Sequence, residues 1–341
     1  MTDTYMRREI LEIPQAVARL LASGSEAIIE AAADLRRADP GFVVSVARGS
    51  SDHAALYLKY ACELVLGLPV ASLGPSVASI YGRALKLSGG ACIAVSQSGK
   101  SPDICSMARS AADQGALTIA ITNEPASPLA KICRHTLNIH AGPERSVAAT
   151  KTFVTSAVAG LSLLAHWAED AELIAAIGRL PEHLENACKI DWSALSGALT
   201  GRSSLYVLGR GPSVAIANEV ALKFKETSQI HAESYSSAEV LHGPVSIVGA
   251  EYPILALAAG DAAERSVVTV ADNLARNGAH VLVSSPSAKI ASVLPSTRTG
   301  HGLTDPLALI VSFYAFVEGF ARSRGLDPDA PRNLRKVTET V

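Results

Sequence analysis

Between Lys223 and Pro244 the chain gathers Lys223, Glu226, His231, Glu233, Glu239 and His242, although only 18% of its residues are charged. A carboxylate and an imidazole in one stretch are the side chains an acid/base reaction needs. Val220, Leu222, Phe224 and Ile230 keep helical spacing, which sets Lys223 and Glu226 three apart on one face near a helix end. Beyond Ile230 the segment turns Ser-rich and closes on Gly243-Pro244, so a loop is expected to carry His242. A metal site is the competing chemistry, because Glu239-Val-Leu-His242 has the Glu-x-x-His spacing of di-iron bundles. Such bundles draw further carboxylates from neighbouring helices, and the chain displays none, so no metal and no cofactor are expected. The remaining histidines (His53, His135, His140, His166, His183, His280 and His301) read as surface or core residues.

The elements that must position this stretch alternate. Apolar runs at 42–47, 69–73, 91–95, 117–122 and 136–139 read as buried strands, interleaved with helical patterns at about 53–66, 77–85 and up to 114. Two helices over 5–37 precede them. A long Ala-rich helix runs to about Trp167, and 169–190 reads as a charged helical connector. The pattern then repeats. Strand 204–208 runs into Gly209-Arg-Gly-Pro-Ser213 and a helix ending near Gln229, echoing 43–51, and strands at 252–257 and 280–284 flank a helix over 262–277. The expectation is an α/β protein of two related halves, 1–190 and 191–341, each a parallel sheet with helices on both faces. An apolar helix over 306–322 suits core or a subunit contact, and the polar tail by itself reads as a frayed end.

Ligands of such sheets sit beyond the carboxyl ends of the strands. Two Gly/Ser-rich turns lie at that edge, Arg48-Gly-Ser-Ser-Asp52 and Ser96-Gln-Ser-Gly-Lys-Ser-Pro-Asp103. Each opens a helix, whose free N–H groups and positive end hold an anion. Neither matches the fingerprint of a triphosphate or dinucleotide loop, and a single phosphate monoester fits better.

The chain has 341 residues, 48% of them hydrophobic and 5% aromatic, which suits cores of Ala, Val, Leu and Ile. Thirty Lys and Arg against 32 Asp and Glu give no field to recruit nucleic acid or an anionic membrane. Five scattered cysteines without CxxC spacing read as reduced thiols of a cytoplasmic protein. No signal peptide or membrane span is expected.

Together these stretches resemble the double sugar isomerase (SIS) domain family, and specifically the isomerase half of glucosamine-6-phosphate synthase. The likeness runs from Arg8-Glu-Ile-Leu-Glu-Ile-Pro14 to the tail Pro331-Arg-Asn-Leu-Arg-Lys336. It implies two flavodoxin-like SIS domains and a phosphorylated amino sugar as ligand. It also implies a homodimer with shared active sites. The glutaminase half of that synthase has no counterpart here, so glutamine hydrolysis is not expected. Carried over residue by residue, the resemblance makes Ser96, Gln97, Ser98 and Ser101 the phosphate loop, with Ser51 reaching in. Gly49, Ser50, Val147 and Ala149 become sugar contacts. Glu226 becomes the base between carbons 1 and 2, and His242 the ring-opening group, supplied by the neighbouring subunit. Lys223 and Lys336 become active-site lysines, with the tail folded over the sugar.

Three departures alter the sugar side. Arg48 replaces a cysteine, Ala149 replaces a serine, and Glu144-Arg-Ser146 replaces Glu-Ile-Gly. Arg48 could add charge near the ligand or point to solvent. The resemblance favours deamination of glucosamine 6-phosphate to fructose 6-phosphate and ammonia. The alternatives are a fructosamine-6-phosphate deglycase, a phosphosugar isomerase and, in another class, a non-catalytic sugar-phosphate sensor.

Overall fold

The computed structural model describes residues 3–336. Ten strands form two five-stranded sheets, and every pairing is parallel. The first sheet takes β1 (Val43–Val46), β2 (Val70–Ser72), β3 (Ala91–Val95), β4 (Leu117–Thr122) and β5 (His135–Asn138), in the order β2-β1-β3-β4-β5. The second takes β6 (Ser204–Gly209), β7 (His231–Ser236), β8 (Pro253–Ala256), β9 (His280–Val283) and β10 (Ser292–Val293), in the order β10-β9-β8-β6-β7. The two orders are the same pattern read in opposite directions. The repeat expected from the echo of 43–51 at 204–213 is therefore present.

Around the sheets the chain divides into two compact units that interleave in sequence. The first-sheet unit holds residues 15–144, 151–178 and Lys336; the second-sheet unit holds 3–14, 145–150 and 179–335.

In the first-sheet unit, β1 and β3 are buried along their whole length, because helices cover both faces. That is why these strands show as unbroken apolar runs. Helix Lys151–Ala168 is buried nearly all round, which its run of Ala, Val and Leu requires. It approaches helix Ser50–Leu66 so closely that a Cβ at Gly160 would lie 2.3 Å from Leu58 Cδ1. Any larger residue there would have to displace the Leu58 side chain. In the second-sheet unit, helix Ser213–Ser228 packs on helix Asp305–Ser323, with Phe224 edge-to-face on Phe313 at a centroid distance of 5.0 Å. Such a pair adds about 0.5–1.5 kcal/mol to the area it buries.

Three local expectations are corrected. Three helices precede β1, not two: Tyr5–Leu11, Ile13–Ser23 and Ser25–Ala38. Glu12 caps the first and Gly24 separates the others, breaks that apolar spacing alone does not register. The helix expected over 77–85 shrinks to a single turn, Ser76–Ser79. The loop expected after Ile230 begins as β7, which pairs with β6 from Ser204↔His231 to Gly209↔Ser236. As an edge strand that buries only Ala232 fully, β7 lacks the apolar alternation that marks a strand. Just before the tail, Asp329 accepts the N–H groups of Tyr5 and Met6, each at 2.7 Å. Among the described residues no helix is long and apolar enough to cross a membrane, and all five cysteines are free thiols.

Candidate active site

At the carboxyl edge of the first sheet, β1 and β3 lie side by side, with Val46 opposite Ala94, so their turns are neighbours. Arg48, Gly49, Ser50 and Ser51 form the first turn and start helix Ser50–Leu66. Gly49 caps it at φ 55°, ψ −133°, a conformation open to glycine and costly for other residues. Ser96, Gln97, Ser98 and Ser101 line the second turn, and Ser101 is the N-cap of helix Pro102–Asp113. The loop is shaped from beneath. Gln97 O accepts Asn123 N at 3.1 Å and Thr122 Oγ1 at 3.3 Å, fixing the loop to the end of β4. At Gly99 (φ 58°) a Cβ would fall 2.1 Å from Ser127 Oγ, so only glycine lets the turn pack there. Ser96 Oγ accepts Gly99 N at 3.2 Å, whereas Ser101 does not use its side chain to cap the helix. The arrangement is a half-buried rim of hydroxyls above a helix N-terminus, suited to one anion.

Arg48, half of whose side chain is exposed, reaches the last residue of the second turn. Its Nε donates to Asp103 Oδ2 at 3.0 Å, with the Asp103 side chain fully buried in the first turn of helix Pro102–Asp113. Asp103 was legible only as the end of a turn.

In the second-sheet unit, Lys223 is fully buried between two carboxylates of its own helix. Its ammonium lies 3.2 Å from Glu219 Oε1 and hydrogen-bonds Glu226 Oε2. Burial pulls this amine toward neutrality, but Glu219 and Glu226 more than reverse that, so its pKa moves up and the charge stays. Glu219, also fully buried, accepts Tyr314 OH at 3.0 Å, which completes a Tyr314–Glu219–Lys223–Glu226 relay. Of the four, Glu226 is the carboxylate that reaches the surface, with 20% of its side chain exposed. Glu219 and Tyr314 were missed. The i, i+4 spacing of Glu219 and Lys223 was a usable signal; the link to Tyr314 had none.

His242 ends the 3-10 turn Glu239–His242, exposed, and makes no hydrogen bond or ion pair with Glu226. Leu241 and Ile247 beside it are exposed as well. Val147 and Ala149 are half-buried in the 145–150 segment. Glu9 holds that segment by accepting Arg145 N and, at 3.2 Å, Ser146 N, while Val147 N donates to Asp329 O at 3.2 Å. His231 and Glu233 are occupied locally, by Ser204 Oγ at 3.4 Å and Tyr235 OH at 3.0 Å. Among the described residues no three His, Cys, Asp or Glu side chains cluster as a metal ion needs.

Lys336 belongs to the first-sheet unit. Its Nζ donates at 2.8 Å to Glu144 Oε2, a fully buried carboxylate that also accepts Thr152 Oγ1 at 2.7 Å and Thr152 N at 3.1 Å. The tail is thus an ordered element at Lys336. Composition alone suggests fraying, and only the resemblance indicates otherwise.

The SIS domain model matches residues 38–166 and 198–288, well over half of the chain. The isomerizing glutamine–fructose-6-phosphate aminotransferase of Aeropyrum pernix is 35% identical over 365 residues, covering 99% of this chain and 57% of that protein. The chain therefore spans little more than half the length of the curated relatives it matches. A solved structure from Silicibacter pomeroyi, provisionally named a phosphosugar isomerase, is 62% identical with a TM-score of 0.93. It covers 96% of this chain and 100% of its own. The glucosamine-6-phosphate deaminase of Thermotoga maritima has a TM-score of 0.78 at 22% identity, covering 99% of this chain and 100% of its own, a likeness of fold alone.

Proposed function

This chain belongs to the SIS domain family, and we propose that it is a phosphosugar isomerase that deaminates glucosamine 6-phosphate to fructose 6-phosphate and ammonia. One observation carries the proposal: Glu226, partly exposed, is clamped by the buried ammonium of Lys223. A carboxylate fixed in this way can take a proton from carbon and return it one atom away without losing its orientation.

In this reading His242 of the neighbouring subunit opens the sugar ring, moving a proton from the carbon-1 hydroxyl to the ring oxygen. Glu226 then removes the carbon-2 proton. The electrons form the carbon-1–carbon-2 double bond of an enolamine, and oxygen 1 takes up a proton. Glu226 returns its proton to carbon 1, leaving a ketimine at carbon 2. Water adds there and ammonia leaves, which balances the reaction without an oxidant or cofactor. Lys223 holds positive charge near the developing oxyanion. The Ser96–Ser101 loop and Ser51 bind the phosphate, far from the reacting carbons, and so contribute binding energy that aligns carbon 2 with the base. Gly49, Ser50, Val147 and Ala149 contact the sugar hydroxyls, and Lys336 is the active-site lysine that the tail supplies.

The test is incubation of purified protein with glucosamine 6-phosphate while ammonia and fructose 6-phosphate are measured. Stoichiometric appearance of both is expected. Turnover of a fructosamine 6-phosphate with neither product from glucosamine 6-phosphate would replace this reading with a deglycase. Binding of sugar phosphates without any turnover would make the protein a sensor.

A further inference from the structure

The 145–150 segment, which carries Val147 and Ala149, is held along its backbone by two stretches that lie far from it in sequence. Glu9, on helix Tyr5–Leu11 and only 4% exposed, accepts Arg145 N with Oε1 and, at 3.2 Å, Ser146 N with Oε2. An ionised carboxylate can accept two neighbouring N–H groups at once, and such charged bonds are roughly twice as strong as neutral ones. The stretch before the tail holds the same segment from its other side. Val147 N donates to Asp329 O at 3.2 Å, and Ser146 Oγ donates to Pro328 O at 3.4 Å. Asp329 in turn accepts Tyr5 N and Met6 N with its two carboxylate oxygens, so the two holders are bonded to each other. Side chains close the ring. The Arg145 guanidinium lies 5.6 Å from the centroid of the Tyr5 ring, which Arg8 also covers, at 5.1 Å. Arg145 and Ser146 are positions where the chain departs from the family pattern, and both put the changed side chain into this clamp. All of these residues belong to the second-sheet unit.

We propose that Glu9 is a positioning residue for the sugar: it holds Val147 and Ala149 in the conformation that contacts the sugar hydroxyls, so that binding does not have to order the segment. This rests on the reading of Val147 and Ala149 as sugar contacts. Glu9 is buried and acts through the main chain of Arg145 and Ser146. A segment free to sample several conformations binds in proportion to the time it spends in the competent one, and ordering it on binding costs affinity. The phosphate loop Ser96–Ser101 belongs to the first-sheet unit. The clamp should therefore be felt by a phosphorylated sugar and not by bare phosphate.

The experiment is titration calorimetry of fructose 6-phosphate and inorganic phosphate against the wild type, Glu9→Ala, Glu9→Gln and Ala149→Leu. Glu9→Ala should weaken fructose 6-phosphate binding roughly tenfold, the loss expected when the competent conformation falls to about a tenth of the population. Glu9→Gln keeps one acceptor oxygen and should fall between Glu9→Ala and the wild type. Inorganic phosphate should bind both Glu9 variants as it binds the wild type. Wild-type affinity of Glu9→Ala for fructose 6-phosphate overturns the inference. So does an equal loss for inorganic phosphate, because a general loosening of the fold would weaken both ligands. Should Glu9→Ala fail to fold, Glu9→Gln, which has the same shape, decides by the same comparison. Ala149→Leu tests the underlying reading and should weaken fructose 6-phosphate alone. If it binds that sugar as the wild type does, the sugar contacts fail and the inference fails with them. If Ala149→Leu loses affinity and Glu9→Ala does not, the inference alone fails.

Discussion

The two sheets share one strand order, yet their carboxyl edges are finished in opposite ways. β3 and β8 occupy equivalent places, each next to the strand that opens its half. After β3 comes a loop of hydroxyls and an amide, with Ser101 not used as a side-chain cap. After β8 the corresponding donors are taken by the protein's own acids. Asp305 Oδ2 accepts Gly260 N at 2.7 Å, and Asp261 Oδ1 accepts Ala263 N at 2.8 Å. Arg298 fills the remainder, donating to Ala258 O at 3.2 Å, to Asp305 at 3.0 Å and to Glu264 at 2.5 Å. The second edge is an internal ion cluster, where the first carries one ion pair, Arg48–Asp103, beside a row of hydroxyls. A repeated fold thus supplies the place for a ligand, while a handful of loop side chains decides whether that place is offered or filled.

The proposed function gives binding to the first edge and chemistry to helix Ser213–Ser228 of the second-sheet unit, and each proposal can be broken. Glu226→Gln should give the largest effect, a fall in turnover of about 10²–10⁴-fold. Calorimetric affinity for inorganic phosphate should stay unchanged; a parallel loss of affinity would end the division. Next comes Lys223→Met, which leaves Glu219 buried without its ammonium and should cost about 3–5 kcal/mol in urea unfolding. Ser98→Ala/Ser101→Ala should weaken phosphate binding by roughly 10-fold or more, since bonds to a charged group contribute about 1.5–3 kcal/mol each. Arg298→Ala, its counterpart at the filled edge, should lower the melting temperature and leave that affinity alone. Phosphate affinity lost in Arg298→Ala would show that the edges are less distinct than their side chains suggest.

The smallest effect lies at the opposite end of the first sheet. His135 and Arg134 hold the Asp34 carboxyl down, from 3.8 to about 2. A folded-state pKa below the unfolded one adds stability above about pH 4, and that contribution is lost as the pH falls toward 2. Asp34→Asn should therefore lower stability near pH 7 and flatten the acid limb of the stability profile, the difference from the wild type shrinking as the pH falls from about 4 toward 2.

Buried geometry explains which features the sequence made visible. β3 and β4 match their apolar runs residue for residue because parallel strands covered on both faces must be apolar throughout. β7 was hidden because its identity comes from backbone pairing with β6, not from an apolar face. Lys223 and Glu226 could be found because a helix puts neighbours in space close together in sequence. The partners of Arg48 and Lys336 could not, since Asp103 is 55 residues away from one and Glu144 is 192 from the other. Those contacts exist only once the chain has folded back on itself.

That last separation has a consequence for how the molecule is made. The ribosome delivers Glu144 long before Lys336, and at about 5–20 residues per second the interval is roughly 10–40 s. During it the first sheet has all five of its strands, and Glu144, at the head of helix Lys151–Ala168, can already accept both the amide and the hydroxyl of Thr152. Lys336 comes only after the second sheet has been synthesised. A nascent chain stalled anywhere between the two would carry every strand of the first sheet and lack the Lys336–Glu144 bond. That bond is therefore among the last the first unit can make.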